Sequence, residues 1–366
     1  MNPLIISSVF KRERIMTDFY SLTINKLERD TDNAVIMSFS VPEGLEDQFT
    51  FHPGQYLTLK ADVAGEELRR CYSICSSTNE SQLKVGIKAI PDGRFSNYAN
   101  NQLKVGDIID VMPPQGRFGF VTESQSSKHY LGIAVGSGIT PIISMLKSVL
   151  EEESNSQFTL LYGNKNLNST MFREQLADFK NRFPERLQIV YLFSRESNEA
   201  ELLNGRLDPE KIRQLGQSLF DWNQFDACYM CGPEEMLEAS YIALSEGGMD
   251  ERQFHVERFN SGATTRPKVE NKAAFSRVKL KRDGRVMDLE MTAEDDNLLD
   301  AALRQGADLP YACKGGVCAT CICKVRSGEV EMAVNYSLEQ DQIDKGYVLS
   351  CQAVPTSDEV SIDFDV

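Results

Sequence analysis

Cys313-Lys314-Gly315-Gly316-Val317-Cys318-Ala319-Thr320-Cys321 is a C-x4-C-x2-C run, and a fourth cysteine, Cys351, follows it further along the chain. This is the plant-type spacing by which four thiolates hold two irons bridged by sulfide. Gly315 and Gly316 suit a tight loop that must wrap such a cluster and aim backbone N–H groups at its sulfurs. Zinc is the competing ligand, but structural zinc sites usually take two separated cysteine pairs rather than three clustered ligands and one distant one. Cys323 lies two residues beyond the third ligand, where strand alternation turns it away from the loop; it is expected to be a packed thiol. A chain with this loop carries electrons singly, and the rest of the sequence must supply them.

Upstream of the loop, Phe275 to Val366 combines a hairpin-like start with a turn at Asp283-Gly284, a helix near Asn297 to Gln305, and the cysteines. Asn260 to Ala274 is rich in Ser, Gly, Ala, Thr, Pro, Lys and Asn and has few apolar anchors; it reads as a linker, placed at 261–274. Before it, continuous apolar strands alternate with helical stretches. The strands are Tyr130 to Val135, Phe158 to Tyr162, Leu187 to Phe193, Ala227 to Met230 and Phe254 to Phe259, and the helices are Ile139 to Glu152, Ser169 to Phe183 and Glu234 to Glu246. Repeated βα units imply a doubly wound parallel sheet over 125–260, with ligands at the carboxyl ends of its strands. From 17 to 124 the pattern is different. Short alternating runs (Ala34 to Phe39, Tyr56 to Leu59, Leu83 to Ala89, Ile108 to Met112) are separated by Pro42-Glu43-Gly44, His52-Pro53-Gly54 and Pro91-Asp92-Gly93, which predicts an antiparallel β-barrel. Residues 1–16 show no clear period, and Met16-Thr17 makes a natural start; this segment is expected to be a disordered tail or a start-site artefact.

Composition narrows the function classes. A chain of 366 residues calls for two or three domains. The net charge of −15 disfavours nucleic acid and anionic membranes as partners. No apolar run is long enough to span a bilayer. Nine cysteines without export features point to the reducing cytoplasm, and three histidines leave little room for a multi-histidine metal site. Residues 275–366 carry 17 Asp and Glu against 10 Lys and Arg, a net of −7 that suits docking on a basic redox partner or serves only as solubilising charge.

Two loops of the parallel-sheet region fit a dinucleotide. Gly136-Ser137-Gly138-Ile139-Thr140-Pro141 lies between strand and helix, where glycines admit a pyrophosphate to the helix N-terminus. Cys231-Gly232-Pro233 ends a second strand at the same edge, although either loop alone also matches an ordinary strand–turn–helix start. In the barrel, Arg69-Arg70-Cys71-Tyr72-Ser73-Ile74-Cys75-Ser76 sets a cation, a ring and a hydroxyl close together, with Arg70, Tyr72 and Ile74 on one face. Gly93-Arg94-Phe95-Ser96-Asn97 then opens a helix, a second candidate phosphate cradle.

R-x-Y-S-x-x-S, G-x-x-S, G-x-G-x-x-P and C-G-P, in that order, resemble the ferredoxin–NADP⁺ reductase superfamily, and the C-terminal plant-type ferredoxin resembles the reductase components of bacterial oxygenases. More narrowly, Glu66 to Cys75, Met171-Phe172-Arg173-Glu174 and His255-Val256-Glu257-Arg258-Phe259 resemble the reductase subunits of phenylacetyl-CoA epoxidases. The resemblance implies a flavin barrel, an NADP-binding α/β domain and an α+β ferredoxin domain of β-grasp type at 275–366. The implied cofactors are FAD, a [2Fe–2S] cluster and NADPH as substrate, and the implied partner is an oxygenase component, a di-iron one. By the same resemblance Arg70 binds the FAD diphosphate with Ser96, Tyr72 packs on the isoalloxazine, and Ser73 hydrogen-bonds near flavin N5. Thr140 and Cys231 flank the nicotinamide, with Gly136, Gly138, Gly232 and Pro233 shaping its pocket. Glu257 relays a proton and Phe259 covers the flavin ring, although the chain continues past the point where the simplest relatives stop. Ser194-Arg195-Glu196 resembles a 2′-phosphate pocket, which favours NADPH even though Glu196 adds an opposing charge; Arg206 is a second candidate cation. Cys313, Cys318, Cys321 and Cys351 are the expected cluster ligands. The alternatives are a reductase for a steroid or aromatic-ring hydroxylase and, from another class, an iron–sulfur redox sensor, which no helix-turn-helix or basic patch supports.

Overall fold

A computed structural model describes residues 18–259 and 275–366, so the expected tail at 1–16 and linker at 261–274 lie outside the described residues. The first region has six strands: β1 (Tyr20–Thr31), β2 (Ala34–Ser40), β3 (Tyr56–Asp62), β4 (Glu67–Ser73), β5 (Leu83–Lys88) and β6 (Ile108–Gln115). They run antiparallel in the order β4-β3-β6-β1-β2-β5, and a bridge from Ile74 to Val85 joins the two ends of the sheet into a barrel. Inward residues at two-residue spacing, such as Leu22 and Ile24 on β1 or Leu57 and Leu59 on β3, fill its core. Helix α1 (Arg94–Asn101) adds Phe95 and Ala99 to that core.

The second region alternates β7 (His129–Val135), α2 (Ile139–Glu152), β8 (Gln157–Asn164), α3 (Arg173–Arg182), β9 (Leu187–Phe193), α4 (Pro209–Ser218), β10 (Ala227–Gly232), α5 (Glu234–Glu246) and β11 (Phe254–Arg258). The sheet is parallel throughout, in the order β11-β10-β7-β8-β9. The winding direction reverses between β7 and β10, the place where open α/β sheets leave a crevice for a ligand. Two details depart from the sequence reading. Helix α3 begins at Arg173 rather than Ser169, because Leu167–Ser169 forms a separate 3₁₀ turn capped by Asn166. Phe172 takes a left-handed φ of 57° and donates its N–H to the Asp30 carboxylate of β1, at 3.0 Å to Oδ2. Helix α4 was not anticipated, although Asp208 caps it and Pro209 opens it, a recognisable start signal.

The third region contains β12 (Phe275–Arg282), β13 (Arg285–Thr292), α6 (Leu298–Arg304), β14 (Ile322–Ser327), β15 (Val330–Met332), α7 (Gln340–Asp344), β16 (Tyr347–Leu349), β17 (Ala353–Pro355) and β18 (Glu359–Asp363). Its sheet order is β13-β12-β18-β14-β16, with β12 and β18 parallel in the middle. The β12–β13 hairpin turns at Asp283-Gly284, both at positive φ, and Asn297 caps α6 by accepting from Asp300 N at 2.9 Å. Cys323 is fully buried in this core, on β14.

The three regions meet in two different ways. Ala34, Ile36, Cys75 and Phe118 of the barrel share one apolar cluster with Ile139, Met145 and Tyr229 of the parallel-sheet domain. Buried Lys147 crosses this seam to Glu80 (2.8 Å) and the Cys75 carbonyl (3.0 Å). Burial alone would push Glu80 up, but the Lys147 and Lys84 ammonium groups hold its carboxyl below its ordinary value. The cysteine module meets the barrel through polar contacts: Arg69 over the Tyr311 ring at 4.1 Å, Tyr56 to the Cys318 carbonyl, Thr320 to Gln115, and Arg117 to Gln342. Among the described residues no helix is long and apolar enough to cross a membrane.

Candidate functional site

A continuous cleft of about 3210 Å³ runs from the β7–α2 loop past β4 to the cysteine loop, lined by Arg70, Tyr72, Gly136, Thr140, Glu257 and Cys318 among others. That is several times the space of a single-ligand pocket, so the cleft has room for two dinucleotides in succession. The strand-order reversal puts the β7–α2 loop and the β10–α5 loop side by side. A Cβ on Gly138 would lie 2.0 Å from the Cys231 carbonyl oxygen, so only glycine lets the two loops approach this closely. Gly136 adopts φ 57°, with its carbonyl held by the Tyr162 hydroxyl at 3.1 Å. A Cβ on Gly232 would lie 2.5 Å from Met236 Cε, and Pro233 caps α5 at the same edge.

At the floor of the cleft Ser73, Cys231 and Glu257 come together from β4, β10 and β11. Ser73 Oγ donates to Glu257 Oε2 at 3.2 Å, and the Cys231 thiol approaches the same oxygen at 4.0 Å. Burial pushes the Glu257 carboxyl up to about 8, against the opposing pull of the Ser73 hydrogen bond. The side chain therefore holds a proton at neutral pH, at a place where a carboxylic acid can give one up. Thr140 is buried beside this group, its hydroxyl donating to the Ser137 carbonyl at 3.0 Å. Tyr72 packs 5.7 Å from the Phe95 ring, and Arg70 is exposed at the rim with Nη1 on the Arg69 carbonyl. The Ser96 hydroxyl accepts from Ile90 N and donates to Gly93 O, which closes the loop ahead of α1. Phe259 is 40% exposed, just past β11.

The 194–196 segment follows β9, away from the Ser73 group. Ser194 and Arg195 are both exposed, with Ser194 Oγ on the Asn164 carbonyl at 3.3 Å. The Glu196 carboxylate is engaged by Leu167 N at 2.8 Å. Two residues that the sequence reading did not single out also enter the site. The Lys88 ammonium lies over the Gly136 loop, 3.8 Å from where a Cβ on that glycine would stand; burial, reinforced by Lys165, lowers its pKa. Tyr56, at the start of β3, reaches the cysteine loop. Neither is marked by a local pattern.

The four loop cysteines fall into two pairs. Cys313 and Cys318 are within hydrogen-bonding reach of each other, as are Cys321 and Cys351, and Cys318 also meets Cys71 of β4. Gly315 N also donates to Cys313 Sγ at 3.2 Å. Two pairs of thiols, with a backbone N–H aimed at one sulfur, fit two bridged irons better than one tetrahedral zinc. The glycine loops at the sheet reversal likewise fit a dinucleotide, and the Arg70–Tyr72–Ser73 strand fits a flavin.

The folds and this site define an NAD(P)H-dependent flavin and iron–sulfur oxidoreductase. Residues 21–120 match the oxidoreductase FAD-binding domain, 133–241 the oxidoreductase NAD-binding domain, and 282–356 the 2Fe-2S iron-sulfur cluster binding domain. The chain belongs to the ferredoxin–NADP⁺ reductase superfamily, in the branch that carries a C-terminal plant-type [2Fe–2S] domain. A 1,2-phenylacetyl-CoA epoxidase subunit from Escherichia coli (strain K12) is 48% identical over 96% of this chain and 99% of its own length. The ferredoxin reductase component of 3-ketosteroid-9-alpha-monooxygenase from Rhodococcus rhodochrous is 33% identical over 94% of this chain and 96% of its own. Phthalate dioxygenase reductase shares the fold, with a TM-score of 0.59 over 94% of this chain and 98% of that one at 22% identity.

Proposed function

We propose that the protein takes hydride from NADPH in the barrel–nucleotide cleft and delivers single electrons through the cysteine loop to a di-iron oxygenase, phenylacetyl-CoA epoxidase. The observation that carries this reading is the end-to-end 48% identity to the E. coli epoxidase protein, in a chain whose paired thiols abut the barrel edge bearing Ser73. When bound, FAD and the cluster supply the conversion of a two-electron donor into one-electron transfers.

The residues hold and align. Arg70 binds the flavin diphosphate, exchanging its present contact with the Arg69 carbonyl for a charge-assisted one, and Ser96 supports the same loop. Tyr72 packs on the isoalloxazine and Phe259 covers it. Gly136, Gly138, Gly232 and Pro233 let the nicotinamide nucleotide approach the helix termini. Thr140 and Cys231 confine the nicotinamide so that its hydride faces the flavin, which is catalysis by proximity. Glu257 keeps its proton at neutral pH and reaches the flavin edge through the Ser73 hydroxyl. Ser194 and Arg195 take the 2′-phosphate of NADPH, beside Glu196, whose carboxylate accepts from Leu167 N. Cys313, Cys318, Cys321 and Cys351 would hold the two irons of the cluster. Nine free cysteines suit a cytoplasmic setting.

The test is coupled oxidation of phenylacetyl-CoA by the purified protein with the oxygenase component of the epoxidase, under NADPH. Turnover that requires both proteins is expected. No turnover there, but turnover with a 3-ketosteroid or ring hydroxylase, overturns the partner and keeps the reductase; zinc in place of two irons and two sulfides overturns the cluster.

A further inference from the structure

We propose that Tyr56 is a positioning residue that seats the cysteine loop against the flavin edge and so sets the rate of flavin-to-cluster electron transfer. The inference rests on the reading above, that electrons leave the barrel through that loop. Three neighbouring strands place Ser73, Tyr56 and Gln115 in one row: Tyr56 on β3 pairs with Ser73 on β4 and with Gln115 on β6. One end of the row faces the flavin site and the other two members touch the cysteine loop. Tyr56 Oη donates to the backbone carbonyl of Cys318 at 2.6 Å, between residues 262 apart in sequence. Thr320 Oγ1 donates to Gln115 Oε1 at 3.1 Å, two residues further along the same loop.

The ring has little freedom. Tyr56 is 6% exposed, and Gly116 lies flat against it at φ 114°; a Cβ there would come within 3.0 Å of ring carbons Cδ1 and Cε1. The hydroxyl is thus delivered by a clamped side chain on a sheet rather than by a flexible loop. The other contacts described across this seam end on different residues of the module: Arg69 stacks on Tyr311 and donates to the Leu309 carbonyl, and Arg117 meets Gln342. Of the contacts described, only the Tyr56 hydrogen bond ends on a cluster ligand's own backbone. The electron concerned is one of the pair that NADPH supplies, passed from reduced flavin to oxidised cluster. That transfer depends steeply on the placement of donor and acceptor, and a 1 Å misplacement is able to cost about a hundredfold in a positioned reaction.

Tyr56→Phe keeps the ring and removes the hydroxyl. The full-length, iron-loaded variant is mixed anaerobically with NADPH, and flavin bleaching and cluster reduction are followed as separate phases. The expected result is a cluster phase slowed about ten- to a hundredfold relative to the flavin phase. Iron content and the EPR spectrum of the dithionite-reduced cluster stay as in the parent. Amide hydrogen exchange over 313–321 becomes faster in the variant, a readout independent of turnover. Thr320→Val, on the other side of the seam, shifts the same ratio in the same direction by less, and tests the idea should Tyr56→Phe fold poorly. An unchanged ratio of the two phases with unchanged exchange overturns the proposal, and so does an altered EPR spectrum, which would mean that Tyr56 acts on the cluster itself. Failure of NADPH to reduce the cluster in the parent protein overturns the reductase reading instead.

Discussion

The barrel has two neighbours and holds them by opposite means. Toward the nucleotide domain it offers apolar side chains that merge into a common core, pinned by the buried Lys147–Glu80 pair. Toward the cysteine module it offers a phenol, a glutamine and two arginines, one of them stacked on a ring. Hydride transfer needs near-contact alignment of two rings, and a shared close-packed core supplies that rigidity. An iron–sulfur module that must also serve a separate acceptor is better held by a few directional contacts, which fix its loop without merging the two cores. The lesson is that one seam fixes its geometry by packing and the other by a few aimed hydrogen bonds.

Cys351→Ser cuts the molecule most deeply along this division. It should abolish the [2Fe–2S] absorbance and EPR signal while NADPH still bleaches the flavin at close to the parent rate. Cys323→Ser, in the same core but off the loop, should keep the cluster; the reverse pattern would break the ligand assignment. Next in size is the contrast between the seams themselves. Lys147→Met removes the buried ammonium from Glu80 and should cost roughly 3 kcal/mol, at the low end for a broken buried pair because Lys84 still pairs with Glu80 at 2.5 Å and Glu80 is 25% exposed. Arg69→Ala, whose partner Glu67 is 49% exposed, should cost no more than about 1 kcal/mol. Chemical denaturation of the two variants, side by side, checks the difference, and equal losses would erase the distinction between the seams.

Arg195→Ala acts within the rigid half. Loss of one charge-assisted phosphate contact, about 1.5–3 kcal/mol, should raise the KM for NADPH ten- to a hundredfold over any change for NADH. Steady-state kinetics with both nucleotides decide it, and flavin-to-cluster transfer should be unaffected. The remaining effect concerns Glu257. Its folded pKa stands above its unfolded value, so the native state binds the extra proton between about 4.5 and about 8 and loses stability as pH rises through that window. Glu257→Gln removes the titration, so its Tm relative to the parent should climb across the window and level off above it. A pH-independent Tm difference would place the Glu257 carboxyl in an ordinary solvated setting.

Much of this could be read from the sequence because the signals were local. C-x4-C-x2-C, the glycine turns at Gly136 and Gly232, and the Arg70-Cys71-Tyr72-Ser73 strand each fit within a few residues. The runs named in the barrel and the parallel sheet followed from periodicity, apart from α4 and the first turn assigned to α3; in the cysteine module the β12–β13 hairpin and α6 were read, but not β14 to β18 or α7. The first turn assigned to α3 closes on itself under the Asn166 cap, and Asp30, on a distant strand, then claims the Phe172 N–H. Tyr56 and Lys88 were missed for the same kind of reason. Nothing in His52–Leu57 points to Cys318, and Lys88 looks like any strand lysine until the glycine loop is folded beneath it. Lys147, within the apolar helix Ile139–Glu152, reads as that helix's wet side; only the barrel turns it into a buried ion.

Gly138 carries a consequence for heredity. Every glycine codon neighbours others by single-base changes, and each resulting side chain, from alanine and serine to valine, aspartate or arginine, begins with a Cβ. Here that atom would land 2.0 Å from the Cys231 carbonyl. No substitution at this codon is a small step, so lineages carrying this protein should keep the glycine.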